Sequence, residues 1–488
     1  MGVITIGAKD FVKGVSTSDD LPDGGYSPKT KGQSPKSSVG SMAGKSLGQD
    51  RSTNLVNNKP IIAGVRDGLG TGEMYFVTDD GATGGTYFSW SGEVSNMTLD
   101  VTDATTNEYL IGRTDMKFYN GALYTTTHND VTLGTLAGGV ISAVDKTWWS
   151  ATAGTGNLAG SYPHPMIIFD GKLWIADTTT STSLIGSLYS WDGTTGIEDV
   201  ITLGYGNTIT ALGRYESTGD MLIGVDSNAN MNAVQSYTSK ILIWDGFSPV
   251  INREIITTER ITAFYNLGGV TYVFYGRNLG YFNGNGITFL RELNINYSSD
   301  ELIYPNKVTD ANDTLYIAEN DSILAFGKIY SGGSKVFYYP YRNSDTAQFD
   351  VINHFGNDSN STFIATTYKE TSGNDTKLNY IDLDTADIGT LETNKYYLPS
   401  NSKIRKIEVT VKTLTAGQVY NINVYNSASP SSAANVGTLT FSGDGAISQK
   451  TFRGFDIETA YIQLQISIPA LGEIRQVKVY YDPIEKPV

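Results

Sequence analysis

The chain has 488 residues, with 35 Lys and Arg against 50 Asp and Glu and a formal net charge of −15 at pH 7. That balance argues against free nucleic acid as a partner, because phosphate binding needs a basic surface. The absence of cysteine excludes disulfides, thiol catalysis and Cys-based metal sites, and 53 Gly and 31 Tyr without long amphipathic stretches predict an all-β chain with little helix.

Residues 1–60 read as an extended N-terminal arm. From Phe11 to Pro60 the sequence is poor in large apolar residues and rich in Gly, Ser, Pro and Lys, so it has no core of its own and needs neighbours for order. These 60 residues hold eight Lys or Arg and five Asp, a net of +3 within −15, so the remainder carries −18. A basic arm on an acidic body suits docking against an acidic surface such as another copy of the chain. The opening MGVITIGAKDFVKG lacks a basic segment followed by a long apolar run, so no secretory signal is expected. No stretch approaches the length of a transmembrane helix.

Residues 61–398 carry a repeat. A short strand with an aromatic or Leu at its second position recurs at Tyr75, Tyr124, Trp174, Leu222, Tyr272, Tyr316 and Phe363, with spacings of 49, 50, 48, 50, 44 and 47 residues. Asx-Gly turns precede several anchors, as in MKFYNG before LYTT and MIIFDG before LWIA, and aromatic-Asp-Gly turns follow, as in LYSWDG and ILIWDG. Asp-Gly and Asn-Gly after alternating apolar residues signal hairpins, because Gly takes the positive φ of a primed turn. A period of this size with three or four strands per repeat predicts a seven-bladed β-propeller.

Residues 399–488 lose the motif and alternate more cleanly. Ile407, Val409 and Val411 fall on one face, as do Ile462, Leu464, Ile466 and Ile468, which predicts a C-terminal jelly-roll-like β-sandwich.

Signals for chemistry are sparse. His128, His164 and His354 lie in different repeats without metal-ligand spacing. Asp226, Asn228 and Asn230 resemble the start of a calcium loop, but Met231 and Tyr237 stand where the loop needs Gly and a bidentate acid. SWDGTTG at 190–196 looks like a sialidase Asp-box but lacks its Trp, and a turn closing a blade accounts for it better. A glycosidase needs paired carboxylates around the central channel, and no preferred pair stands out. No catalytic, cofactor or metal residues are therefore assigned, and the chain is expected not to be an enzyme. The residues singled out for partner or glycan contacts are Trp148 and Trp149 in KTWWSATAG and Tyr338, Tyr339 and Tyr341 in VFYYPYRN, weighed against burial between blades.

The opening TIGAKDFVKGVSTSDDLPDGGYSP, the polar arm, and NKPIIAGVRDG leading into a Gly- and Tyr-rich propeller with WDG turns resemble virion proteins of tailed bacteriophages. In its order of arm, propeller and sandwich the chain is similar to tail nozzle or hub proteins. The resemblance implies a structural subunit of a hexameric ring around the DNA exit channel, made in the host cytoplasm and located in the virion tail. Its partners would be copies of itself and other tail or neck proteins, with DNA only in passage. Two alternatives stay open: a receptor- or carbohydrate-binding fibre or spike protein, and a propeller glycosidase.

Overall fold

The computed structural model describes Gly2–Gly7, short segments between residues 14 and 47, and most of residues 61–484 apart from several loops and the side chains of 338–394. Among the described residues the elements are strands, apart from a 3-10 turn at Pro305–Lys307 and helical backbone at Trp148 and Trp149.

Six four-stranded antiparallel sheets follow one another along the chain, each a meander of consecutive strands. Sheet 1 runs Ile61–Arg66, Met74–Asp79, Gly85–Trp90, Thr98–Asp103; sheet 2 runs Met116–Tyr119, Ala122–Thr126, Val131–Ala137, Val140–Asp145. Sheet 3 runs Met166–Phe169, Lys172–Thr179, Ile185–Trp191, Gly196–Thr202; sheet 4 runs Thr208–Arg214, Met221–Asp226, Ser239–Trp244, Arg253–Thr257. Sheet 5 runs Ile261–Leu267, Val270–Tyr275, Asn278–Phe282, Ile287–Glu292; sheet 6 runs Val308–Ala311, Thr314–Glu319, Ser322–Lys328, Lys335–Arg342. First strands of successive sheets lie side by side, as Ile61–Arg66 does against Met116–Tyr119 and Thr208–Arg214 against Ile261–Leu267, which makes these sheets the blades of a β-propeller.

A further four-stranded sheet joins Gln348–Asp358, Ser361–Lys369 and Thr376–Asp382 to Ser46–Leu47 from the N-terminal segment. Its first strand, Gln348–Asp358, lies beside both Val308–Ala311 and Ile61–Arg66.

Each anchor of the sequence repeat falls on the second strand of its sheet, from Tyr75 in Met74–Asp79 to Phe363 in Ser361–Lys369. The turn before it is set by local chemistry. Asn120-Gly121 and Asp170-Gly171 are two-residue loops with φ of 49° and 78°, and 49° and 71°, so both central residues are left-handed as a primed hairpin turn requires. Middle strands such as Met221–Asp226 and Thr314–Glu319 are buried along their whole length, because neighbouring sheets cover both faces. Outer strands such as Gly196–Thr202 are mostly half-buried or exposed.

The C-terminal strands form one eight-stranded, nearly closed, barrel-like sheet where two separate jelly-roll layers were expected. Its order is Gly2–Gly7, Glu473–Pro483, Tyr396–Lys412, Ile447–Ile468, Gly389–Glu392 and Lys29–Lys31, with Val419–Asn426 also on Ile447–Ile468 and Ser429–Thr440 beside it. The long strand Ile447–Ile468 links the two sides. Its residues from Ile447 to Ile462 pair with Tyr396–Lys412, and those from Gln463 to Ile468 with Val419–Asn426 and Gly389–Glu392. A bulge interrupts its pairing between Arg453 and Ile457, where the register shifts and Gly454 takes φ 85°. The expected apolar face is the core: Ile407, Val409, Val411, Ile462, Leu464 and Ile466 are all buried, and Ile6 of the first strand joins them.

Candidate functional site

The propeller presents two ends. At one end the chain passes from sheet to sheet, and buried or half-buried polar side chains fasten the joints. Asp115, just before the first strand of sheet 2, accepts the Met116 N–H at 2.8 Å and the Lys117 ammonium at 2.7 Å, and its other oxygen takes the Met166 N–H of sheet 3 at 2.9 Å. Thr126 of sheet 2 donates its hydroxyl to the His164 carbonyl at 3.1 Å. Arg260, before sheet 5, donates to Asp226 of sheet 4 at 2.5 Å, and both side chains are fully buried. Nearer the opposite end, beside the first hairpin turns of sheets 5 and 6, Tyr265 donates to Asp310 at 2.6 Å, and burial followed by the Asp310 charge pushes its phenol well above the usual range.

Asp115 also lines a pit of about 30 Å³ that residues of sheets 2, 4 and 5 and of the segment before sheet 6 share, among them Arg113, Thr210, Thr262, Tyr304 and Asn306. It has room for a water molecule but not for a sugar ring. The Thr210 hydroxyl is buried and has no hydrogen-bond partner among the described residues. Asp115 is the carboxylate among the residues lining this pit, and its oxygens are already committed to the joint between sheets 2 and 3.

The other end carries the hairpin turns, and between sheets 3 and 4 they form an open groove of about 510 Å³. Ile168 and Asp170 come from the first turn of sheet 3, Arg214, Thr218 and Asp220 from that of sheet 4, and Phe247 from the turn after Trp244. Phe247 is 77% exposed. Its position follows from the turn before it. The Asp245 carboxylate accepts the N–H of Phe247 at 2.9 Å, the N–H of Ser248 at 2.8 Å and the Ser248 hydroxyl at 2.6 Å, while Trp244 donates its indole N–H to the Ser248 carbonyl at 2.7 Å. Local polar bonds thus hold the turn, and the phenyl ring can face solvent. Gly246 takes φ 85°, and a Cβ there would meet the Phe169 ring at 2.7 Å.

The same hydrogen bonds, those from Ser248 first, lower the Asp245 pKa to about 2. A folded-state pKa below the unfolded one adds stability above the ordinary carboxylate range and loses it as pH falls through the folded value. The turn should therefore stay closed at pH 4 and open progressively as pH falls from about 4 towards 2. The amide shifts of Phe247 and Ser248 in an NMR titration check this, and a midpoint near 4 would contradict it.

Trp148 and Trp149, read as candidate contact residues, are instead buried at 4% and 2% exposure. They sit in the connection between sheets 2 and 3, where Trp148 meets Tyr124 and Trp191 edge-on, each at 5.0 Å, and Trp149 meets Tyr189 at 5.2 Å. Packing between blades claims both indoles, so neither offers a stacking platform. Tyr338, Tyr339 and Tyr341 lie on the strand Lys335–Arg342, and their side chains are outside the described residues. His128, Asn228 and Asn230 and the side chain of His354 are likewise outside them. His164 is buried, with Nδ1 3.2 Å from the Ala176 carbonyl and 3.5 Å from Asp177. Asp192 of SWDGTTG accepts the N–H groups of Thr194 and Thr195 at 2.8 and 2.7 Å, the expected blade-closing turn. Phe247, Asp170, Arg214 and Asp220 were not singled out from sequence. The available signal was WDGFSP, in which a large apolar residue follows a turn glycine without any alternating neighbour.

No protein-family model and no curated protein matches the chain. Among solved structures it is similar to an exo-β-1,3-galactanase from Phanerochaete chrysosporium at TM-score 0.36 and 9% identity, covering 89% of this chain and 100% of that one. A glycoside hydrolase family 43 arabinoxylan arabinofuranohydrolase from Bacillus subtilis gives TM-score 0.28 and 10% identity over 88% and 98% of the two chains. Saccharomyces cerevisiae Sqt1 gives 0.38 and 10% over 66% and 86%. The expectation that the chain is not an enzyme is corrected by this finding, since glycoside hydrolases stand among the folds it superposes on and the architecture does not exclude catalysis. At these scores and identities the similarity assigns no activity to this chain.

Proposed function

We propose that the chain is a glycan-recognising β-propeller of a tailed-phage virion, with the groove between sheets 3 and 4 as its site. The observation that carries this reading is Phe247, exposed beside Asp170, Arg214, Thr218 and Asp220 in a groove of about 510 Å³. A sugar ring offers an apolar C–H face and a rim of hydroxyls. An exposed aromatic ring flanked by charged and hydroxyl side chains meets both, and the volume falls in the range of ligand pockets. The virion context rests on the sequence resemblance alone. On this reading the sheet completed by Ser46–Leu47 closes the ring as a seventh blade, supported by the position of Gln348–Asp358 between the first strands of sheets 6 and 1.

The test is a screen of bacterial surface polysaccharides and their oligosaccharides, followed by calorimetry on the best binder and a reducing-end assay for turnover in the same samples. Phe247→Ala should weaken binding about tenfold or more, the loss of roughly 1.4 kcal/mol of contact. Unchanged affinity in that variant, or no glycan bound by the wild type, would overturn the assignment.

A further inference from the structure

The strand Gly2–Gly7 is an edge of the C-terminal sheet. It pairs antiparallel with Glu473–Pro483 in a six-residue register from Gly2 opposite Tyr481 to Gly7 opposite Gln476. Its hold on the core is slight: Ile6 is buried and Ile4 packs beside it, while Val3 is 47% exposed and Thr5 is exposed. Without this strand, Glu473–Pro483 would present an open sheet edge with an apolar gap at the place of Ile6.

The strand is tethered through a segment with little apolar anchorage. Among the described residues of 1–60 the other paired stretches are two or three residues long, among them Lys29–Lys31 on the opposite edge of the same sheet and Ser46–Leu47 on the propeller. The segment carries +3 while the rest of the chain, by difference from −15, carries −18. Two such bodies repel each other, and a basic segment passing from one to the other offsets that repulsion.

We propose that residues 2–7 of one copy occupy the Glu473–Pro483 edge of a second copy, so that the N-terminal segment links subunits by strand exchange. The acceptor edge is chemically the same in every copy, so exchange keeps each backbone pair and the Ile6 contact. Its cost is confined to association entropy and the path of the linking segment. The partner is a second copy of this chain, recognised by β-augmentation and by the seat for Ile6.

Thr5 and Lys478 are opposite each other in the register, and neither is fully buried. The chain has no native cysteine, so introduced thiols pair only with each other. Thr5→Cys and Lys478→Cys are made in separate full-length chains carrying different tags, co-expressed, oxidised and run on a non-reducing gel. A third sample carries both substitutions in one chain. The expected result is a disulfide-linked species containing both tags, at twice the chain mass, from the co-expressed single variants. A crosslink within the double variant at monomer mass, with no mixed species from the single variants, would overturn the proposal. Absence of any crosslink in the double variant would overturn the pairing itself.

Discussion

Asp226→Ala is expected to destabilise the propeller by about 3–5 kcal/mol, because it leaves the Arg260 guanidinium buried without its carboxylate. The two side chains are 2% and 0% exposed and 2.5 Å apart, and they join the second strand of sheet 4 to the entry of sheet 5. In so dry a joint, water cannot take the place of the missing charge, and the cost of breaking the pair exceeds its net worth. The double variant Asp226→Leu/Arg260→Met should recover most of the loss, since no charge is then stranded. All six tryptophans lie between residues 90 and 244, so their fluorescence reports on the propeller rather than on the C-terminal sheet. Urea unfolding followed by that signal measures both effects. A loss below about 1 kcal/mol in the single variant would mean that the pair behaves as a solvated surface bridge.

The second large effect is expected at Trp191, where Trp191→Ala should cost about 3–5 kcal/mol. This indole is 4% exposed, stands edge-on to Trp148 at 5.0 Å and donates its N–H to the Tyr124 hydroxyl of sheet 2 at 3.1 Å. Truncation would open a cavity in the joint between sheets 2 and 3 and also remove the Tyr124 partner. Trp191→Phe keeps most of the ring volume and should lose roughly 1–2 kcal/mol, chiefly the hydrogen bond and part of the edge contact. Burial pushes the neighbouring Tyr189 phenol up to about 12. Near-equal unfolding midpoints for the Ala and Phe variants would show that the joint collapses around the gap instead of holding it open.

The blades were legible in the sequence because their determinants are local. An anchor such as Trp174 with alternating neighbours makes a strand, and Asp170-Gly171 ahead of it needs only its own backbone preferences to form a primed turn. The apolar face of 407–411 was legible for the same reason, since alternation by two depends on nothing outside the strand. The candidate site was hardly legible. Trp148 and Trp149 have the composition of a binding platform, but packing between two blades decides where such rings go, and here it placed them inside. Phe247 stands exposed because Asp245 holds its turn from below, and its groove exists only where turns of two sheets, far apart in sequence, come together.

The sequence by itself determined an all-β chain, a repeat of nearly fifty residues with one anchor per sheet, a turn chemistry and an alternating C-terminal region. Each of these follows from residues within a few positions of one another. The tertiary structure alone decided how the sheets are completed: Ser46–Leu47 fills the place of a fourth strand beside Thr376–Asp382, and Gly2–Gly7 borders the strand Glu473–Pro483 at the far end of the chain. Edge pairing joins backbone to backbone and leaves almost no mark on side-chain pattern, so a strand of two or six residues could find those edges without any signal in the sequence.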